Sequence, residues 1–295
     1  MHKTDRSPNF SRRTAITRGV GALAMCGVGA PVLAVTKSEH GAEQREPVTF
    51  DWDDPRDNLT AFVKVMGDLN GSPRFWSAQG RIYARRPDHM TIPLVGVEGV
   101  RFSKFDKTDD GYLMWTRDWA LFRDLETGEV IDTFDNPFTG KTNAVSHILT
   151  SRAYNWEMTP DRGQQMPSYT GEAWLIDRPL KMPWVEEGNH VAVTLELLVK
   201  YANGVVGSEM EHFLMDRDEL YHPAATSVKN ARQAWVGNSP WLRWMDMGDI
   251  QGGTQWHSTG LKHASIDTLR PEFVREVDKR WPGSLEDPMG YVKPA

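Results

Sequence analysis

Between Arg81 and Leu261 apolar residues recur with a period of two, and no other feature constrains the fold of this chain as strongly. Val191, Val193, Leu195, Leu197 and Val199 alternate along one such run. A period of two puts every second side chain on one face of a strand. Tyr112 to Arg123 is a long aromatic run; Asp124-Leu125-Glu126-Thr127-Gly128 follows as a turn, and Glu129–Phe134 as the return arm of a hairpin. Asn143–Thr150, Glu172–Asp177, Ser208–Met215 and Thr254–Leu261 read as further strands. Helical spacing is confined to two places. Asp54-Pro55 is a helix start, followed by Leu59, Phe62, Val63 and Met66; Pro271 opens a second, with Phe273, Val274 and Val277 inward and Trp281 near its end. The expected architecture is mainly β: one domain over residues 50–295, built as a single antiparallel β-barrel or strongly curved sheet with a helix near each end.

Residues 1–34 read as a twin-arginine signal peptide. Ser11-Arg12-Arg13-Thr14-Ala15-Ile16 carries the paired arginines, a Gly/Ala-rich apolar stretch runs to Leu33, and Val32-Leu33-Ala34 is a small-residue cleavage pattern. Residues 35–49 read as a flexible tether. The expected location is periplasmic or secreted, with the twin-arginine translocase as partner during export. Cleavage after Ala34 removes five basic residues and one acid, leaving 29 basic and 39 acidic residues, a net charge of −10. It also removes Cys26, the one cysteine, and with it disulfides, thiolate catalysis and Cys-ligated metal. The acidic balance argues against nucleic acid, which needs a concentrated basic face. No run of 18 apolar residues exists to span a membrane as a helix.

Common nucleotide and hydrolase motifs fail. Gly140-Lys141-Thr142 resembles the end of a phosphate-binding loop, but Asp135 stands where its first glycine belongs. H-E-x-x-H and G-x-S-x-G are missing from the sequence, and Asp216-Arg217-Asp218-Glu219 reads as a solvated turn. No cofactor is expected.

The candidate site residues come from strand parity. His147 shares a face with Asn143, Val145 and Leu149, and His212 with Met210 and Leu214. If those faces point inward, each imidazole is a candidate acid–base group, against the competing reading of a core histidine capped by a carbonyl or carboxylate. Glu172 lies on the face of Trp174 and Ile176, and Glu211 on that of Phe213 and Met215. Aromatic surroundings desolvate a carboxylate and raise its pKa, unless an arginine pairs with it. Arg117 sits between Trp115 and Trp119 on one face, where it can stack on indole or hold a ligand carboxylate. The segment from Ser239 to Gly248 holds Trp241, Trp244, Met245 and Met247, an adaptable apolar surface that suits a pocket wall or a plug at a barrel end.

These motifs also carry a resemblance. Leu125-Glu126-Thr127-Gly128-Glu129-Val130, the hairpin end Asp135-Asn136-Pro137-Phe138-Thr139-Gly140-Lys141 with His147 downstream, and Pro240-Trp241-Leu242-Arg243-Trp244-Met245-Asp246-Met247-Gly248 resemble the blocks of the domain-of-unknown-function family eighteen thirty-eight. The likeness covers most of residues 50–288. It implies that Asn136, Thr139, Gly140, His147, Trp241 and Trp244 occupy motif positions, and it implies no activity.

The favoured function is an exported acid–base enzyme, a lyase, isomerase or hydrolase, acting on a hydrophobic or aromatic small molecule. His147, His212 and Glu172 would be catalytic; Asn143, Arg117, Trp115, Trp241, Trp244 and Glu211 would bind the ligand. The alternatives are a non-catalytic periplasmic binding protein and a metal-dependent enzyme using His147, His212 and Glu211, with His257 and His263 as weaker ligands.

Overall fold

The computed structural model describes residues 48–291, except 88, 151, 162, 166–172, 176–181 and 202–205. The leader and most of the tether lie outside the described residues, as does Glu172. In chain order the elements are α1 (Pro55–Met66), β1 (Arg74–Arg85), β2 (Ile92–Lys107), β3 (Tyr112–Arg123), β4 (Thr133–Asp135), β5 (Thr142–Ala144), β6 (Ile148–Leu149), β7 (Tyr154–Thr159), β8 (Gly163–Gln165), β9 (Ala173–Leu175), β10 (Trp184–Glu187), β11 (His190–Tyr201), β12 (Val206–Asp216), α2 (Arg217–Leu220), β13 (Arg232–Ser239), β14 (Gly253–His263) and α3 (Pro271–Arg280).

Twelve strands form one antiparallel sheet in the order β10-β11-β12-β13-β14-β1-β2-β3-β7-β8, with β6 added beside β3 and β9 beside β11. Among the described residues the two ends of this path do not pair, so the sheet is open and the barrel form of the expectation does not hold. It is nevertheless strongly curled. Arg101 on β2 reaches Glu211 on β12, although β1, β14 and β13 lie between. Four strand spacings in a flat sheet are about 19 Å, well beyond the reach of two side chains. Two glycines allow the close approach of β1 and β14. A Cβ on Gly80 would lie 1.8 Å from the His257 carbonyl oxygen, and one on Gly260 would lie 1.6 Å from that of Ser77.

The concave face of the curl takes α1. Asp54 accepts a hydrogen bond from the Arg56 amide as its N-cap, Pro55 opens it, and Leu59, Phe62, Val63 and Met66 are buried against Trp76, Phe105, Val193 and Phe213. At its C-terminus Lys262 of β14 donates to the carbonyls of Lys64, Val65 and Gly67. The convex face of β2 and β3 takes α3, whose Phe273 and Val277 pack on Val100, Phe102, Trp119 and Leu121. β2 and β3 are therefore buried on both faces.

Two strand expectations change. The return arm Glu129–Phe134 makes a single bridge, Val130 to Arg123, and then peels away into a small separate hairpin of β4 and β5. β3 instead pairs with β6 and β7. The run Asn143–Thr150 is not one strand. It breaks after Ala144 and resumes at Ile148, and parity is lost across the break: Val145 joins one apolar cluster and Leu149 another.

Candidate functional site

A cavity of about 500 Å3 opens within the curl, between the concave face of the sheet and α1. Its apolar wall comes from Phe62 and Met66 of α1, Trp76, Met114, Leu195, Leu197 and the indoles of Trp156, Trp235 and Trp256. Its charged residues are Arg101, Asp118, Glu209 and Glu211. Strand parity delivers them: Arg101 and Asp118 are register partners on β2 and β3, and Glu209 and Glu211 lie two residues apart on β12.

Arg101 is the hub. Its Nε donates to Asp118 Oδ1 at 3.0 Å and its Nη1 to Glu211 Oε1. Tyr154 Oη donates to the other Asp118 oxygen at 3.0 Å. Burial opposes the guanidinium's charge, yet Glu211, Asp118 and Tyr154 hold its pKa above the ordinary arginine value. Glu211 is fully buried. Glu209 keeps part of its surface open to the cavity. Desolvation raises its pKa to about 7, the charges of Glu211 and Asp118 add to the rise, and Arg101 opposes it. Trp235 also slightly favours the ionised form without completing a hydrogen bond from Nε1. A carboxyl group that is half ionised near neutral pH suits proton transfer.

Of the described residues expected from sequence, Glu211 alone lines this cavity. His212 is on the opposite face of β12, exposed, its Nδ1 2.9 Å from the Thr194 hydroxyl. Met210 and Leu214 are not the inward face; Glu211, Phe213 and Met215 are. Arg117 and Trp115 point to the convex side. The Arg117 guanidinium donates to the carbonyls of Thr150, Pro288 and Gly290 and lies over the Trp119 ring, so it ties down the C-terminal segment. Trp115 Nε1 donates to Asp106. His147, His212 and Glu211 thus sit in three separate places, and they cannot share a metal. Among the described residues no three His, Cys, Asp or Glu side chains are grouped closely enough to hold one.

The motif residues converge elsewhere, in an apolar plug at one end of the curl. Asn136 donates to the Met245 carbonyl at 2.6 Å and accepts from the Phe138 amide, joining the hairpin end to the tryptophan block. Trp241 donates to the Ile250 carbonyl and packs near Phe138; Trp244 packs on Phe122 and Phe134. Asn143 lies on the small hairpin, outside the cavity lining. Among the described residues the plug touches the cavity along its inner edge, through Val97, Ala120, Ile148, Trp235, Leu242 and Trp256.

His147 belongs to this plug and does not line the cavity. Its ring stacks on Phe122, its Nδ1 accepts from the Phe122 amide at 3.1 Å, and its Nε2 is buried 3.9 Å from Asp132. Burial, and then the charge of Arg280, lower its pKa to about 4. Protonation would break the Nδ1 bond. The unfolded chain takes up this proton near pH 6.5, so the folding stability that neutral His147 supports is intact above that pH. It is expected to fall by about 2–4 kcal/mol as the pH drops from 6.5 to 4. Chemical denaturation across that range, with His147→Gln as the flattened control, checks it.

The residues missed from sequence are Arg101, Asp118, Glu209 and Tyr154. Glu209 was in principle accessible, since it shares parity with Glu211 on a strand already placed. The others needed the partner strands.

Residues 71–293 match the model of a family described as "Protein of unknown function (DUF1838)", and the chain belongs to that family. A search of the curated proteins finds no match. Among solved structures it is similar to the crystal structure of Ail, the attachment invasion locus protein of Yersinia pestis, at 7% identity and a TM-score of 0.17, over 65% of this chain and 99% of that one. A similarity of that size carries no argument. No helix among the described residues is long and apolar enough to cross a membrane, which says nothing of crossing by strands.

Proposed function

We propose that the chain is an acid–base enzyme, a lyase, isomerase or hydrolase, acting on a hydrophobic small molecule held in the cavity. We place it outside the cytoplasm, on the strength of the leader. One observation carries the catalytic reading: Glu209 stands in an aromatic cavity with its pKa raised to about 7, beside the Arg101–Asp118–Tyr154 network. In this reading Glu209 moves the proton, the role first sought at His147, His212 and Glu172. Arg101 holds Asp118 and Glu211 in place, and the tryptophans exclude water, which strengthens each electrostatic contact. The alternative is a ligand store with the same walls. It draws on the largely apolar lining and leaves the raised carboxyl without a task.

The deciding comparison is between wild type and Glu209→Gln. Glutamine keeps the shape and removes the proton transfer, and above pH 7 it relieves the cost of ionising a desolvated carboxyl, so the variant is expected to fold at least as stably as wild type. Both proteins are incubated with a pooled extract of hydrophobic metabolites and the mixture is followed by mass spectrometry. A compound consumed by wild type, and about 10²–10⁴-fold more slowly by the variant, supports the enzyme. A compound retained intact by both assigns the store.

A further inference from the structure

The cavity holds more negative charge than positive. Arg101 faces three carboxylates, and it is already engaged by Asp118 and Glu211. With Glu209 ionised the set carries a net charge of −2, and with Glu209 protonated −1. Several polar atoms here also lack a partner. Among the described residues, Thr116 Oγ1, Trp156 Nε1, Glu211 Oε2 and Gln233 Oε1 are buried without a hydrogen bond, and all four residues line this cavity. Thr116, Trp156, Glu211 and Gln233 are each more than nine-tenths buried. A buried carboxylate oxygen with no donor is costly to leave so, and its orientation marks where a donor belongs.

We infer that the cavity takes an organic cation: an amine carried on a hydrophobic, ring-bearing skeleton. An ammonium beside Glu211 Oε2 supplies both the missing donor and the missing positive charge. Trp156, Trp235 and Trp256 line the same cavity, and an aromatic lining favours a cation over a neutral group of the same shape. A ligand carboxylate would be the fourth in the cavity and would have to displace Asp118 or Glu211 from Arg101. The indole N–H of Trp156 remains for an oxygen on the same skeleton. This inference rests on the proposed function only for placing the ligand in the cavity, and it makes no use of turnover.

Three indole probes of similar shape test it: tryptamine, tryptophol and indole-3-propionate, titrated calorimetrically into the whole protein near neutral pH. Tryptamine is expected to bind at least about tenfold more tightly than tryptophol, with indole-3-propionate weakest. Glu211→Gln is expected to abolish the preference by weakening tryptamine binding at least about tenfold. Asp118→Asn serves as a second variant and should reduce the preference too. Tryptophol binding as tightly as tryptamine, indole-3-propionate binding best, no binding by any probe, or a preference unchanged in both variants would each overturn the inference. If amine binding holds while Glu209→Gln leaves metabolite conversion unaltered, the reaction falls and the cation site stands.

Discussion

Arg101→Met is expected to destabilise the protein by about 3–5 kcal/mol, a large fraction of a typical domain's stability. Methionine fills the space of the aliphatic stem but leaves Glu211, fully buried, with its charge and no partner. Asp118 loses its Nε donor and keeps the Tyr154 hydroxyl. The damage therefore comes from an orphaned carboxylate rather than from lost packing. Two companions separate the causes. Arg101→Lys should recover only part of the loss, because one ammonium cannot present the fork that reaches Asp118 through Nε and Glu211 through Nη1. Adding Glu211→Gln to Arg101→Met should recover more than Glu211→Gln alone costs, since it removes the stranded charge. Denaturant midpoints of wild type, Arg101→Met, Glu211→Gln and the double variant measure this coupling. Strict additivity would mean that the bridge does not hold β2 and β12 together.

Lys262→Met is expected to be damaging as well, by about 2–3 kcal/mol. Burial pulls the pKa of this lysine well down and the charge of Arg74 adds to that, while Asp68 and Glu219 oppose it. The ammonium is nevertheless surrounded by acceptors. Nζ lies 3.0 Å from the Lys64 carbonyl, 2.6 Å from Val65, 2.7 Å from Gly67 and 2.8 Å from the Ser227 hydroxyl. The three carbonyls are among those that the end of a helix leaves unsatisfied, and the helix dipole favours a cation there. Methionine would leave the Val65 carbonyl without a donor and take one donor from each of the other three acceptors, the Lys64 carbonyl keeping the Val228 amide and the Gly67 carbonyl the Ser227 hydroxyl, at about 1–3 kcal/mol for the orphaned carbonyl and less for the rest. Thermal and denaturant unfolding give the size of the effect. Hydrogen exchange gives its place, because α1 should lose protection before the sheet does. Uniform loss of protection would mean that Lys262 is not specific to the α1 end.

The parts of the fold that could be read from sequence are those whose signals are local. α1 announces itself through Asp54, Pro55 and the spacing of Leu59, Phe62, Val63 and Met66; α3 does so through Pro271, Phe273 and Val277. The strand Tyr112–Arg123 has the bounds expected of it, and Ser208–Met215 and Thr254–Leu261 lie inside β12 and β14. Parity also grouped Glu211 correctly with Phe213 and Met215. The same parity misled at His212, because alternation separates two faces without saying which one is inside. Met210 and Leu214 are apolar yet lie on the outer side, where Leu214 is exposed. At His147 the error was to continue one strand across a break. The Phe122 amide, distant in sequence, claims its ring nitrogen.

By itself the sequence determined α1, α3 and most of the long strands, the alternation that makes the chain mainly β, and the family to which it belongs. The tertiary structure decided that the tryptophan block packs with the Asn136 hairpin end as a plug rather than a ligand wall, and that among the described residues the two ends of the sheet do not pair. It also decided where the site lies. Arg101 and Glu211 are 110 residues apart in the chain and four strands apart in the sheet. They meet because the sheet curls across β13, β14 and β1 tightly enough to bring β2 over β12. Curl is a cumulative property of many strand contacts, such as those at Gly80 and Gly260. No local pattern encodes the distance between two strands that do not pair.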